Sequence, residues 1–391
     1  MTEKKPLVSF EATCPICRAK FTHRAVKRKF FRPLDRDPDG RVREYEFPEE
    51  GLGDLRPHYY HVWHCPGCHF ADEGDGFRGK RSRTIEMLSD RILELADRPE
   101  GLTVRLGLAI EVPSRGTTLS GALDAHLLAL FEQDLASGAA RDTAKIGRLA
   151  LRAAWLFREA GELDASVPSA EAFRANLEFL ASLRDAWPDV PTSEADALHR
   201  AADAYAECAE STTGLEDLAG RFDPRFLVAA IRQRLGEREA ALEAAGALAD
   251  EARAKYAEIR KAVGRFVNRT DFTERKYLAL QARETWLSDF VRRCEALRDR
   301  VLEEIYQREM PRARALVLSG EGEVSAAAVG HRMREAGFHD YTVKRVTLLV
   351  DGWERARAAG EKAPGDAKTG GLLSKLTGLL HGKGTGDGHA G

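Results

Sequence analysis

Hydrophobic and polar positions change their period once along this chain, near residue 84. Before that point apolar residues come in short runs. Val8-Ser9-Phe10 is one, and Tyr59-Tyr60-His61-Val62-Trp63-His64 is another, rich in residues that favour extended backbone. Pro33, Pro38, Gly40, Pro48, Gly51 and Gly53 punctuate the stretch between them and mark turns. The pattern predicts short strands and loops over residues 7–80.

After residue 84 the spacing becomes helical. Ile85, Leu88, Ile92 and Leu95 step by three and four residues ahead of Pro99, which reads as a stop. Further helices are predicted over residues 121–135, 142–161, 170–187, 194–208, 224–235 and 238–267. In the second of these Ile146, Leu149, Ala150, Ala153, Trp155 and Leu156 lie close to one stripe, and Gly161 suits the position just past the helix end. Pro188 stops the third.

These helices read as pairs. Leu151 to Glu162 and Leu227 to Glu237 each resemble the first helix and turn of a tetratricopeptide unit, and Gly161 and Gly236 lie 75 residues apart. That is close to two units of roughly 34–40 residues. A plain helical bundle is the alternative. From Ala249 to Met310 the chain is charged and nearly free of breakers, with Gly264 and Asn268-Arg269-Thr270-Asp271 the only interruptions. Long paired helices follow, without a clean heptad. Ser325 is placed to cap a helix ending at Gly337. Residues 355–391 are rich in Gly and Lys and read as a flexible tail, within which Leu372, Leu373, Leu376, Leu379 and Leu380 keep helical spacing. This Leu372 to Leu380 segment could dock on a partner or a membrane. The fold class expected is mainly α. A small zinc-ribbon-like β unit (residues 1–80) is followed by a tetratricopeptide-like array (81–248), long charged helices (249–312), a small helical unit (313–354) and the tail (355–391).

Composition changes this picture little. At 391 residues the chain exceeds one compact core, and 43% hydrophobic with 31% charged residues suits a globular chain with long surface helices. The formal net charge of −2 implies neither nucleic acid nor membrane. No apolar run reaches about 18 residues, and the opening MTEKKPLVSF lacks a signal-peptide core. A cytoplasmic location is expected.

The cysteines change it a great deal. Four of the six form two matching clips, Cys14-Pro15-Ile16-Cys17 and Cys65-Pro66-Gly67-Cys68. A thiolate pair two residues apart grips one side of a tetrahedral ion, and a second pair completes the set. Each clip follows a strand-like run, as a knuckle would. Closing the 47-residue loop between Cys17 and Cys65 costs about 3–4 kcal/mol. A structural zinc returns roughly 10–16 kcal/mol of apparent binding energy. The metal wins, and a closed structural Zn²⁺ site on Cys14, Cys17, Cys65 and Cys68 is expected. Redox dithiols would need a neighbouring βαβ unit, and structural disulfides an oxidising compartment. His58, His61, His64 and His69 crowd the second clip; His64 or His69 could replace a cysteine, but strand residues are the simpler reading. Cys208 and Cys294 stand alone in helical segments.

Between the clips the balance turns basic, with ten Lys or Arg against three Asp from Arg18 to Arg43. Arg24, Lys27, Arg28, Lys29 and Arg32 are interleaved with Phe21, Phe30 and Phe31, a pattern that could contact phosphates and stack bases. The alternative is a solvated loop whose phenylalanines pack under the metal site. No P-loop, dinucleotide fingerprint, zinc-protease motif or nucleophile elbow occurs. Glu159 and Glu162 sit at a helix end, where solvated carboxylates are common.

The run Cys14-Pro15-Ile16-Cys17, Phe21 with its basic stretch, Pro57, Tyr59-Tyr60, Val62-Trp63, Cys65-Pro66-Gly67-Cys68 and Phe70-Ala71 resembles the bacterial family called domain of unknown function 2225. The likeness covers roughly residues 8–260. It implies a two-knuckle N-terminal region joined to tetratricopeptide-like helices, and no activity. The family often carries glycine just after each clip, where this chain has Arg18 and His69; glycine there eases the knuckle turn. The function expected from the residues is a non-catalytic adaptor or scaffold for another protein, with nucleic-acid binding through the basic insert as the alternative.

Overall fold

A computed structural model describes residues 6–48, 52, 55–78, 83–96, 98–110, 118–136, 141–211, 217–266, 273–319 and 325–358. The chain forms two compact units, residues 1–291 and 292–391. It is mainly α with a small β region at the N-terminus, as the periodicity predicts.

Among the described residues the β region consists of three antiparallel hairpins. β1 (Leu7–Thr13) pairs with β2 (Lys20–Val26), β3 (Arg32–Arg36) with β4 (Val42–Glu46), and β5 (Val62–His64) with β6 (Ala71–Glu73). A 3-10 turn, Pro57–Tyr60, leads into β5, and α1 (Gly74–Arg78) follows β6. The first and third hairpins are built alike. Their last pairs are Thr13↔Lys20 and His64↔Ala71, so each clip is the loop of its hairpin.

The helices follow as α2 (Arg83–Ala96), α3 (Pro99–Ile110), α4 (Leu119–Asp134), α5 (Thr143–Gly161), α6 (Pro168–Ser182), α7 (Glu194–Ser211), α8 (Leu218–Arg234) and α9 (Arg238–Phe266). α4 sits at the centre of the first unit, with 15 of its 16 residues buried. An element apolar nearly all round belongs inside a core. Its polar side chains are therefore paired where they can be. Asn176 donates to Asp124 at 2.8 Å, and His126 Nδ1 donates to the Ala122 carbonyl at 2.7 Å. Burial pushes His126 down to about 3, which keeps its imidazole neutral. α4 packs on α3, α5, α6, β5 and β6; α5 packs most heavily on α7, then α7 on α8 and α8 on α9. The first turns of α10 (Glu274–Ser319) close this unit, where Trp286 stacks on Phe290 at 5.1 Å and Phe290 meets Phe222 edge-on at 5.2 Å.

In the second unit the rest of α10 packs with α11 (Ala326–Glu335) and α12 (Asp340–Ala358) around Tyr306, Met310, Val329, Met333, Phe338, Val343, Val346 and Val350. Ser325 caps α11 by accepting from Ala328 N at 3.2 Å, and Gly337 makes the turn to α12 at φ +73°.

Several elements differ from the sequence expectation: α6 ends at Ser182, short of the expected Trp187, and a 3-10 turn follows over Leu183–Asp185. Pro99 does not only end a helix; it opens α3, because the first turn needs no amide hydrogen from proline. α8 begins at Leu218, six residues before the expected Pro224, because Asp217 caps it by accepting from Gly220 N at 2.8 Å. α12 runs to Ala358, into what reads as tail. The expected breaks at residues 268–271 and the leucine segment Leu372 to Leu380 lie outside the described residues.

Candidate metal centre

The two clips adopt one backbone. Cys14 N donates to Ala19 O at 2.9 Å and Arg18 N to Cys14 O at 3.0 Å; Cys65 N donates to Phe70 O at 2.8 Å and His69 N to Cys65 O at 2.9 Å. Both turns close through a left-handed residue, Arg18 at φ 66° and His69 at φ 62°. These are the two positions where the sequence lacks the helpful glycine. The turn is made without it, at a cost of roughly 1–2 kcal/mol per site for a side-chain-bearing residue.

Face to face, the knuckles bring four sulfurs together. Cys14 Sγ lies 3.6 Å from Cys68 Sγ, Cys17 Sγ lies 3.6 Å from Cys65 Sγ, and all four lie within 4.8 Å of one another. A tetrahedron with metal–sulfur bonds of about 2.3 Å has edges of about 3.8 Å. The sulfurs are therefore spaced to hold a metal ion. Gly67 permits this approach, since a Cβ there would lie 3.3 Å from Ala19 Cβ and 3.6 Å from Cys17 Sγ.

The local electrostatics fit a cation. Cys14 and Cys65 are fully buried. A hydrogen bond from Cys68, aided by the backbone amides of Cys17 and Ile16, lowers Cys14 to about 5. The matching amides of Cys68 and Gly67 point at Cys65, yet burial raises that thiol to about 11, and the bond to Cys14 pushes Cys68 up. One thiolate forms readily, and its charge holds back Cys65 and Cys68. Four together need a positive ion among them.

An aromatic floor supports the cluster. Trp63 stacks on His23 at 4.5 Å, on Phe10 at 5.8 Å and on Phe77 at 5.8 Å, and Phe70 meets Phe77 at 5.2 Å. Burial takes His23 down to about 4. The neighbouring histidines stand apart from the cysteine cluster. His64 and His69 stack on each other at 5.4 Å, His61 is exposed, and His58 binds Glu159. Behind the second knuckle Arg105 donates to the Cys68 carbonyl, and Glu132 accepts from Ala71 N at 3.0 Å. Arg105 and Glu132 face each other at 3.6 Å, both buried. Burial raises Glu132 to about 8. These two residues tie the knuckle to α3 and α4; no local pattern marks either, since Arg105 lies on the unforeseen α3 and Glu132 is one carboxylate within an apolar helix.

The residues of the basic insert differ in exposure. Arg24, Arg28, Lys29 and Arg32 are exposed, and Lys27 is half-buried. Arg32 pairs with Glu46 at 2.8 Å, and Lys29 lies 5.2 Å over the Phe30 ring. The rings point elsewhere: Phe30 is buried, Phe31 packs edge-on against Tyr45, and Phe21 against Phe77.

The tip of the β3–β4 hairpin docks on α5. Arg158 binds Asp37 at 2.8 Å, Asp39 at 2.6 Å and Glu194 at 2.7 Å, and Arg41 forks onto Glu162. Glu159 is no solvated helix-end carboxylate, being only 15% exposed. It accepts from Arg56 at 3.3 Å and from Tyr59 at 2.8 Å, and lies 2.8 Å from His58 Nε2. Burial alone would raise it, but the bonds from His58 and Tyr59 and the charge of Arg56 outweigh burial and hold it low. Towards the start of α5, Lys145 binds Asp72 at 3.0 Å, and Arg148 and Arg152 bind Glu73 at 2.9 and 2.5 Å. One face of α5 thus carries an ionic ladder against the β region. The sequence signal was a stripe at steps of three, four and seven residues: Lys145, Arg148, Arg152, Glu159 and Glu162.

No curated protein and no solved structure matches this chain. Paired clips, hairpin knuckles and the helices behind them agree with the family to which the chain does belong, described as "Uncharacterized protein conserved in bacteria (DUF2225)", which it matches over residues 7–287.

Proposed function

We propose that Cys14, Cys17, Cys65 and Cys68 hold one structural Zn²⁺ and that the protein is a non-catalytic cytoplasmic adaptor for another protein. The observation carrying this reading is the closed set of four sulfurs within 4.8 Å, in matched knuckles of which the second is tied by its hairpin to α4 and α5. All-cysteine ligation leaves no open position for a reacting molecule, which is the mark of a structural site. The metal then sets the shape of a head, and the helices behind it form a platform. Tetratricopeptide-like stacking is supported by the succession α5, α7, α8 and α9, although α6 turns aside to α4. We retain the domain map of residues 1–80, 81–248, 249–312, 313–354 and 355–391 as its working division.

Elemental analysis of the purified chain tests the metal. One zinc per chain is expected, with loss in Cys65→Ser. Iron with sulfide absorbance, or a metal-free chain of undiminished Tm, overturns it. Capture of a protein partner at near-physiological salt, weakened by the same substitution, tests the adaptor role. The nucleic-acid alternative keeps its exposed cations, Arg24, Arg28, Lys29 and Arg32, but Phe30 is not available for stacking. It requires binding that falls steeply with salt.

A further inference from the structure

We propose that the free edge of β4 is where the partner docks, as an extended segment that adds a strand and presents a lysine or arginine to Glu44. This deepens the adaptor reading and rests on it. A cleft of about 380 Å³ lies between β4, the 3-10 turn and the end of α5. Its walls include Arg41, Val42, Arg43, Glu44, Tyr45 and Phe47. Successive strand residues point to opposite faces, so a cavity against one face would meet every second side chain. This one meets both sets and therefore runs along the strand's edge. Among the described residues β4 pairs only with β3, so one edge keeps unpaired backbone donors and acceptors. Such an edge is a template for an added strand.

The walls state what the added strand carries. Tyr45, Phe47 and Leu163 give apolar contact on the cleft. The arginines there are already neutralised: Arg41 by Glu162, Arg43 by Asp35 and Asp37, and Arg56 by Glu159. Glu44 is exposed and has no ion-pair partner among the described residues. Glu162 is spent on Arg41, but beside it α5 ends with its carbonyls, the negative end of the helix dipole. Arg36, on β3, lines no part of the cleft. The unspent charge along this edge is negative, and its complement is a basic side chain flanked by apolar ones.

The test pans a phage-displayed library of random heptapeptides against the zinc-loaded full chain. The strongest binder, made synthetically, is then followed by amide hydrogen exchange. Selected peptides are expected to carry Lys or Arg between apolar residues and to slow exchange at Val42–Glu46 at least tenfold. Glu44→Lys, an exposed change that leaves the fold intact, should weaken them at least tenfold and favour peptides with Glu in the same place. Peptides, or a captured partner, that protect α7–α9 while β4 exchanges as before overturn the edge and leave the adaptor reading standing. Binding indifferent to Glu44→Lys overturns the charge assignment. A chain that takes up neither peptide nor protein overturns both.

Discussion

The knuckle pair and the β3–β4 hairpin lie in one N-terminal region and are held by opposite means. The knuckles converge on four sulfurs within 4.8 Å, over a floor of buried aromatic rings. The hairpin has a charged surface and few apolar contacts, and its tip is fastened by Arg158 and Arg41 to carboxylates. A bound metal supplies a large free energy and tolerates a long loop between its ligands. Partly buried ion pairs contribute little net stability, but breaking one strands a charge. On the proposed reading a metal at the four sulfurs would decide whether the knuckles fold, and the ion pairs decide which face of which helix receives the insert.

Metal removal separates the two most sharply. Chelation, or Cys65→Ser, takes away roughly 10–16 kcal/mol of apparent metal binding. Amide exchange should rise to near-unfolded rates across β1, β2, β5 and β6, while α7–α9, which pack on α5 and on one another, keep their protection. If chelation leaves the exchange of β1 and β5 unchanged, the knuckles do not depend on metal.

Arg158→Ala comes next. It leaves Asp39, 3% exposed, facing Asp37 and Glu194 without their shared cation. A loss of roughly 3–5 kcal/mol is expected, read by denaturant unfolding, with zinc content unchanged. Loss of zinc in that variant would mean that the two devices are one. Trp155 reports the same event optically, because a Cβ on Gly40 at the hairpin tip would sit 3.7 Å from its ring.

These two regions were also unequally legible. The clips could be read because CPxC is a local pattern with one dominant chemistry, and the six-residue knuckle needs only neighbouring residues to form. The helices can be read from spacing, apart from α3, where Pro99 reads as punctuation but is a first helical residue. The ladder on α5 could not be read. Lys145, Arg148, Arg152, Glu159 and Glu162 form the same stripe whether they face water or a docked hairpin. Only the positions of Asp72, Glu73, Arg56 and Arg41, up to 121 residues away, tell the cases apart. Phe30 shows the converse: its neighbours in sequence are cations, but its neighbours in space bury it.

Acid should loosen the hairpin through its carboxylates. The bond from Arg41 holds Glu162 below the ordinary carboxylate range; for Glu194, burial works upward but is outweighed by Arg234 and Arg158. A depressed folded-state value means that the unfolded chain binds more protons as pH falls. The stability these groups contribute is complete above about pH 4.5, near the unfolded carboxylate value, and is lost as pH falls through the lower folded values. Trp155 emission should shift within that window, and Glu162→Gln should flatten the shift. Zinc measured in the same samples separates this from protonation of the thiolates. An unchanged pH profile in Glu162→Gln would remove that residue from the hairpin's hold.

The smallest effect lies in the knuckle turns and has the opposite sign. Arg18 and His69 hold φ values of 66° and 62°, where glycine is the natural occupant. Relief of left-handed strain gains roughly 1–2 kcal/mol, and the extra freedom of glycine in the unfolded chain takes back roughly 0.5–1. Arg18→Gly should therefore stabilise the chain by about 0.5–1 kcal/mol and raise the chelator concentration needed to strip the metal. His69→Gly gains less, because it also gives up the stacking on His64. The substitution acts only where the metal folds the chain, so its benefit should vanish in the Cys65→Ser background. A benefit that persists there would place the strain outside the metal-held turn and erase the difference between the two regions.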